Sequence, residues 1–186
     1  MTQIEIDHDN IHLTKPDMTY IGSYRAAFAE YRAHNVEDFA YPKVASKRQA
    51  KVYMARVENF RHGINIPMGY VPNSGFWLVD GRNYLGSGDV RHYLDDNLRK
   101  LGGNIGYSIR PAAWRLGLGT LLLSMLLEEA IKLNISRPIV TCFDTNVASA
   151  KIIEKHGGVL LKKITNRYGG TDRLTRIYEI GLTVQF

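Results

Sequence analysis

The chain has 186 residues, of which 45% are hydrophobic and 23% charged, as is typical of one folded domain rather than two domains or a disordered chain. No stretch approaches the about 20 consecutive apolar residues of a membrane span, and the polar start MTQIEIDHDN lacks the regions of a signal peptide. The one cysteine, Cys142, cannot form an internal disulfide, which fits a reducing compartment. We therefore expect a single cytoplasmic domain over residues 1–186, without a membrane partner.

The net charge of +6 and the pI near 9.4 allow two interpretations. A basic surface can bind nucleic acid, or it can attract a phosphorylated ligand. The basic residues are scattered, with pairs at Lys47–Arg48, Arg99–Lys100 and Lys162–Lys163 but no long basic run and no nucleic-acid motif. Because charge alone is a weak indicator, we expect no nucleic-acid partner.

The first part of the chain is predicted to form a short strand and two helices. Residues 11–13 are the strand candidate. Helical spacing of large side chains then extends over residues 17–34, at Ile21, Tyr24, Phe28 and Tyr31. A second helix begins at Ser46, which together with Gln49 matches a capping box. We interpret the aromatic residues of these helices as core packing, with a role in a substrate groove as the alternative.

Beyond residue 64 the pattern changes to short strands with two further helices. The predicted strands cover residues 76–79, 84–92, 105–109, 139–143, 159–165 and 174–182, and the predicted helices cover residues 116–134 and 146–157. On the first of these helices the side chains expected to be buried are Leu121, Leu122, Met125, Leu126 and Ala130. This order of elements predicts a mixed α/β (α+β) domain.

The segment from Ile105 to Thr120 runs from a strand through a short turn into a helix, and it is the most informative part of the sequence. Gly117 and Gly119 lack a Cβ atom, so a ligand can approach their backbone amides closely. The helix N-terminus adds unpaired N–H donors and a partial positive charge, which together favour a pyrophosphate. The alternative is a glycine pair that serves only tight packing. The turn is neither a Walker loop nor a dinucleotide-binding fingerprint.

Two segments, residues 105–123 and 141–158, resemble the GNAT superfamily of N-acetyltransferases. The phosphate loop of that family corresponds to Trp114-Arg-Leu-Gly-Leu-Gly119, and its Asn-led helix to the helix from Asn146 to Gly157. The detailed match covers residues 103–160, and residues 84–119 look most like a bacterial group of predicted acetyltransferases of unknown substrate. The resemblance implies a central mixed, largely antiparallel sheet flanked by helices. It also implies acetyl-CoA as co-substrate, and no metal.

The resemblance also implies the roles of individual residues toward the coenzyme. Ile109, at the end of its strand, would pair its backbone with the pantetheine arm and help to bind the thioester carbonyl. Asn146 would contact the same arm, although a simple helix N-cap is the alternative and both roles can coexist. Because Trp114 stands where the family usually has Arg or Gln, Arg115 or Arg110 would supply the phosphate-facing charge. The backbone amides that would hold the pyrophosphate are those of Arg115, Leu116, Gly117, Leu118, Gly119 and Thr120.

The catalytic groups are less clearly marked. Ile153 stands where the family commonly has a tyrosine that protonates the leaving thiolate, so either another group protonates the thiolate or the thiol leaves as an anion that water neutralises. Tyr107 is our candidate acid, with packing in the sheet as the alternative. For the base we consider His92, whose pKa suits proton transfer near neutrality, and Asp89, which could be a base or an ammonium-binding group. The two lie on opposite faces of the strand over residues 84–92. An exposed strand end with an Asp–Arg pair is the alternative for Asp89. We expect Cys142 to be a buried core thiol, not a nucleophile.

The acceptor is expected to be a primary amine, on a small molecule or a peptide. Candidate residues for a cationic amine are Glu37, Asp38, Tyr41, Tyr70 and Trp77. The leading hypothesis is an acetyl-CoA-dependent N-acetyltransferase. A non-catalytic acyl-CoA-binding or sensor module is the alternative, because the usual tyrosine is missing. A homodimer is also compatible with the resemblance.

Overall fold

A computed structural model describes residues 4–36 and 42–182. The helices are α1 (Ile21–Ala33), α2 (Lys47–Arg61), α3 (Leu118–Lys132) and α4 (Val147–Lys155), with short 3-10 turns at His8–Asn10, Met18–Tyr20 and Pro111–Ala113. The strands are β1 (His12–Thr14), β2 (Asn73–Val79), β3 (Tyr84–Arg91), β4 (Ile105–Ile109), β5 (Ile139–Phe143), β6 (Gly158–Tyr168) and β7 (Thr171–Ile180). Within these residues no helix combines the length and apolarity that a membrane crossing requires.

The strands of the described residues form one sheet in the order β1-β2-β3-β4-β5-β7-β6. Every neighbouring pair is antiparallel except β4 and β5, which run parallel. The only registered partners between β4 and β5 are Ile105 and Val140, so the two strands diverge after their first residues. The predicted mixed α/β fold with a largely antiparallel sheet is therefore confirmed, and the sheet contains a gap at its centre.

Each face of the sheet has its own core because strand side chains alternate between the two faces. On one face, α3 and α4 pack over a core that includes Leu85, Val90, Ile105, Leu122, Leu126 and Ile153. On the other face, α1 and α2 cover an aromatic core that includes Tyr24, Tyr31, Trp77 and Tyr84. The strands β4 and β5, which border the gap, therefore have one face toward α3 and α4 and the other face toward α1 and α2.

The helix starts follow from local sequence. Ser46 Oγ accepts the amide of Gln49 at 3.2 Å, which confirms the predicted N-cap of α2. The Gln49 side chain reaches back to the amide of Ala45, one residue earlier than in a capping box. The helix predicted over residues 116–134 begins only at Leu118, because Gly117 has left-handed backbone (φ 77°). Leu121, predicted to be buried, is 36% exposed, since α3 turns its neighbour Leu122 toward the sheet.

Candidate active site

The glycine turn before α3 has a backbone that few residues can adopt. Gly117 (φ 77°) and Arg115 (φ 64°) both lie in the left-handed region, which is uncommon for a residue with a side chain. A Cβ atom at Gly119 would approach Ile152 Cδ1 to 2.9 Å, so this glycine permits close packing of α3 on α4. At Gly117 the space for a Cβ is open. The packing interpretation therefore applies to Gly119, whereas Gly117 is required by the turn itself.

A cleft of about 640 Å³ lies between this turn, the end of β4 and the start of α4. The first helical amide of α3 with a backbone acceptor is that of Thr120, which donates to Gly117 O at 3.0 Å. The amides ahead of it have no acceptor within the helix. The cleft brings together most of the residues predicted for the coenzyme and one predicted acid: Tyr107, Ile109, Arg115, Gly117, Leu118, Gly119, Thr120 and Asn146. Leu116 instead packs its side chain against the α3 core.

The amide and carbonyl groups of every second residue of β4 point toward the cleft. The amide of Arg110 donates to Leu85 O and the amide of Arg91 to Asn104 O, which fixes the alternation between β3 and β4. By this alternation Tyr107 and Ile109 turn their backbone groups away from β3, toward the gap that β5 leaves. The Ile109 carbonyl accepts a hydrogen bond from Trp114 Nε1 at 2.7 Å. An extended ligand can pair with this edge of β4.

Trp114 anchors the turn to the strand. Its indole is 40% exposed and meets the ring of His34 edge-on, with the ring centroids 4.9 Å apart. Together with the bond to Ile109 this contact ties the end of α1, the turn and β4 to one another. Arg115, the next residue, is exposed and lines the cleft. No sequence pattern indicates the contact with His34, which lies 80 residues earlier in the chain.

Arg110 lies apart from the cleft lining. It is 5% exposed, and its Nε donates to both carboxylate oxygens of Glu30, at 2.9 and 3.0 Å. A further guanidinium nitrogen donates to Ser23 Oγ at 2.8 Å. The same Glu30 carboxylate accepts the amide of Ala112 at 3.1 Å. The structure thus places Arg110 in an ion pair that holds α1 against the turn, and of the two arginines considered for the phosphate only Arg115 lines the cleft.

Tyr107 and the start of α4 meet across the gap. The Tyr107 hydroxyl lies 3.0 Å from Ser149 Oγ, and Asn146 Oδ1 caps α4 by accepting the amide of Ser149 at 3.0 Å. Burial raises the pKa of Tyr107 to about 12, against the lowering effect of the bond to Ser149. The phenol therefore keeps its proton at neutral pH. Ser149 was not identified from the sequence, although it is the third residue of the Asn-led helix.

Ile153, at the position of the family's usual tyrosine, is fully buried in the core under α3 and α4. No polar group of this chain reaches the cleft from that position. Cys142 is 8% exposed, and burial raises the pKa of its thiol, as expected of a core thiol. Among the described residues no group of three or more potential ligand side chains is arranged to hold a metal ion.

The structure separates the two candidate bases. Asp89 faces α2 and lines a second cavity of about 570 Å³, with Arg91 Nη2 at 3.4 Å from its Oδ2. His92 contacts Ser74 Oγ through Nε2 at 3.0 Å and lines neither cavity. Burial lowers the pKa of His92, with a further contribution from the Arg61 cation. Of the two, only Asp89 borders a cavity next to β4.

The candidate amine-binding residues lie in different parts of the structure. Trp77 is fully buried and stacks on Tyr24 at 4.5 Å, so it belongs to the aromatic core and not to a groove. Tyr70 is 58% exposed and lines the second cavity beside Asp89. Glu37, Asp38 and Tyr41 lie outside the described residues.

Comparisons with known proteins agree with this geometry. The acetyltransferase (GNAT) domain family matches residues 20–159. No curated protein matches the sequence. Among solved structures, RimL, a ribosomal L7/L12 α-N-protein acetyltransferase in complex with coenzyme A, has a TM-score of 0.71 at 13% identity, covering 97% of this chain and 100% of that one. The microcin C7 self-immunity acetyltransferase MccE, in complex with acetyl-CoA and AMP, has a TM-score of 0.70 at 14% identity, covering 94% of each chain. The protein yncA from Salmonella typhimurium, solved with acetyl-CoA, has a TM-score of 0.61 at 16% identity, covering 95% of this chain and 96% of that one.

At these identities the structural likeness establishes the fold. The family match covers well over half of the chain and includes both the glycine turn and the Asn146-led helix, which confirms the resemblance noted in the sequence. The chain belongs to the GNAT acetyltransferase family.

Proposed function

We propose that this protein transfers an acetyl group from acetyl-CoA to a primary amine by direct attack of the amine on the thioester. The observation that carries the proposal is the continuity of one cleft from the glycine turn to the gap between β4 and β5. One end of this cleft suits a pyrophosphate and the other suits an extended arm. MccE and yncA, which share the fold, have been solved with acetyl-CoA.

The residues of the cleft fit the coenzyme in three places. The amides of Arg115 to Gly119, at the positive end of the 15-residue helix α3, would hold the pyrophosphate, with the Arg115 side chain as an added cation. The predicted amide of Thr120 is not among them, because it already donates to Gly117 O. The β4 edge at Tyr107 and Ile109 would pair with the pantetheine arm. Asn146, whose Oδ1 caps α4, can turn its amide nitrogen to the same arm.

Asp89 on β3 and Tyr107 on β4 would act from opposite faces of the sheet. Asp89 would accept the proton of the incoming ammonium, so that the neutral nitrogen forms the new C–N bond at the thioester carbonyl. As the C–S bond breaks, the Tyr107 phenol would donate its proton to the sulfur. The nitrogen that has formed the C–N bond would lose its second proton to water, and Asp89 would release the first proton to water. The phenol would regain one proton from water through Ser149, so that one ammonium and one thioester give an amide, a thiol and one net proton.

A thermal-shift titration with acetyl-CoA, with NAD and ATP as controls, tests the coenzyme site. A ligand that binds only the folded state raises Tm with concentration, so we expect a rise specific to acetyl-CoA. No rise with acetyl-CoA would contradict the proposal at its first step.

Turnover is tested by the release of coenzyme thiol with a panel of primary amines. We expect Asp89→Asn to lower kcat/KM by about 10²-fold, the range of general base catalysis. Asp172→Asn, at an exposed carboxylate of the β6–β7 hairpin, is the matched control and should keep wild-type activity. Binding of acetyl-CoA without turnover of any amine would favour the non-catalytic module instead.

A further inference from the structure

The second cavity, of about 570 Å³, lies on the face of the sheet opposite α3, between α2, the 69–73 segment and the end of β3. We call it the α2 groove. The side chains that give it chemical character are Tyr53, Arg56, Phe60, Tyr70, Asp89 and Arg91.

A carboxylate forms the polar end of the α2 groove. Among the described lining residues Asp89 is the one acidic side chain, and its side chain is 15% exposed. Arg91 is committed to positioning it: Nη2 lies 3.4 Å from Asp89 Oδ2, and Nη1 donates to the carbonyls of Gly102 and Gly103 at 3.3 and 3.0 Å. The guanidinium is therefore held in place by backbone groups and orients the carboxylate.

Asp89 also lies close to the gap between β4 and β5, where the thioester would be placed. A Cβ atom at Gly106, the β4 partner of Asp89, would lie 3.0 Å from Asp89 Oδ1, so the carboxylate rests directly over β4 at a residue without a side chain. Ser108, two residues along β4 on the same face, lines the coenzyme cleft. The two cavities thus approach each other across about two residues of one strand, or about 7 Å.

Aromatic rings form the body of the groove. Phe60 and Tyr70 meet edge-on with their centroids 5.9 Å apart. Burial, with a smaller contribution from the Asp89 carboxylate, raises the pKa of the Tyr53 phenol. Such walls favour a flat, apolar ligand body.

The rim of the groove is cationic. The Arg56 guanidinium lies over the Phe60 ring at 5.2 Å and belongs to an exposed residue of α2. The nearby acid of α2, Glu58, is engaged by Lys15 and His62 and does not line the groove. The α2 groove therefore has a largely buried carboxylate, aromatic walls, and an exposed cation at its rim.

We propose that the α2 groove is the acceptor site and selects a primary amine with an aromatic body and an anionic group at the end remote from the amine. This inference rests on the proposed function. The amine would lie at Asp89, the ring against Phe60 and Tyr70, and the anion at Arg56. Arg56 would act on specificity and not on the chemical step, because it is an exposed residue on the rim of the groove, packed on Phe60.

Ligand binding is measured first, by saturation-transfer NMR without coenzyme, with 4-(2-aminoethyl)benzoate, phenethylamine and butylamine. We expect the benzoate to bind most tightly and butylamine most weakly. Arg56→Gln should weaken the benzoate by about fivefold, the upper range for an exposed ion pair, and leave phenethylamine unchanged. Lys51→Gln removes the same charge from an exposed residue of α2 outside the groove and should change neither. Equal binding of the three amines, or of the benzoate by wild type and Arg56→Gln, would overturn the inference.

Turnover of the same three amines separates this inference from the proposed function. Acetylation of butylamine at the same kcat/KM as the benzoate would refute the groove and leave the acetyltransferase standing. Selective binding of the benzoate without acetylation of any amine would support the groove and refute the acetyltransferase. We expect kcat to be unchanged in Arg56→Gln and KM for the benzoate to rise.

Discussion

The carboxylate of Glu30 on α1 binds two residues of the segment that leads from β4 into the glycine turn. It accepts hydrogen bonds from the guanidinium of Arg110 and from the amide of Ala112. Arg110 has a side chain only 6% exposed, so its charge depends on this partner. The position of the turn on the sheet is therefore set by a helix 80 residues away in the sequence.

We expect Glu30→Ala to destabilise the protein by about 3 kcal/mol, because removal of one partner leaves a buried charge uncompensated. Acetyl-CoA binding should also weaken several-fold as the turn loosens. Thermal unfolding and a coenzyme titration measure the two effects. Glu129→Ala, which breaks the exposed pair with Lys132, should cost less than about 1 kcal/mol and is the control. If Arg110 served the phosphate, its release in Glu30→Ala would tighten coenzyme binding, the opposite sign.

A second prediction distinguishes two effects of a side chain at Gly117: the conformational strain of a left-handed backbone and the loss of coenzyme affinity. Gly117 (φ 77°) and Gly170 (φ 83°) both have left-handed backbone and open space for a Cβ. Alanine at either position should cost about 1 kcal/mol of conformational strain. Only Gly117→Ala places a methyl group among the amides of the turn, so we expect its acetyl-CoA Kd to rise at least about tenfold, which is about 1.4 kcal/mol. An equal change in Kd for the two variants would contradict the pyrophosphate site.

A third prediction concerns the proton of the leaving thiol. Tyr107→Phe should lower kcat by about 10²-fold with a smaller change in KM for acetyl-CoA, because a general acid acts in the transition state. Ser149→Ala should have a smaller effect, since it removes only the partner of the phenol at 3.0 Å. With a pKa of about 12, Tyr107 should cause no loss of rate between pH 7 and pH 10.

Tyr178→Phe is the matched control for the loss of a buried phenol. The Tyr178 hydroxyl donates to Glu154 at 2.8 Å and does not line the coenzyme cleft. This variant should lose stability but keep kcat. Wild-type kcat in Tyr107→Phe would assign the phenol to packing, the alternative that the sequence left open.

The elements around the site were predictable because their patterns are local. The strands at 105–109 and 139–143 and the N-caps Ser46 and Asn146 follow from apolar runs and hydrogen-bonding side chains within four residues. The alternation along β3 likewise put Asp89 and His92 on opposite faces. It does not say which face meets a groove, because that depends on where α2 packs.

The contacts that the sequence did not reveal join distant parts of the chain. The pair of Arg110 with Glu30 and that of Trp114 with His34 depend on how α1 packs against the turn. An arginine beside a glycine turn looks like a phosphate ligand until its neighbours in space are known. Trp77 was a candidate for binding the amine, and no local pattern shows that Tyr24 stacks on its ring.

A fourth prediction uses the environment of His92. The groups that face its imidazole are Ser74, at 3.0 Å, and the cation of Arg61. Burial and this cation keep the folded-state pKa below the ordinary value of about 6.5, so the unfolded chain binds more protons between the two values. Stability should therefore fall as the pH drops below about 6.5, and the loss is complete below the folded-state pKa.

His92→Gln should reduce the fall in Tm between pH 7 and pH 5, because glutamine does not titrate. It should change kcat/KM by less than about threefold at pH 8, since His92 lines neither cavity and Asp89 is the group beside β4. The two measurements test different statements. A loss of activity comparable to that of Asp89→Asn, with Tm preserved, would return the role of base to His92 and require the imidazole to reach the reaction gap in a rearranged complex. An unchanged pH dependence of Tm would mean that His92 titrates alike in the folded and unfolded chains.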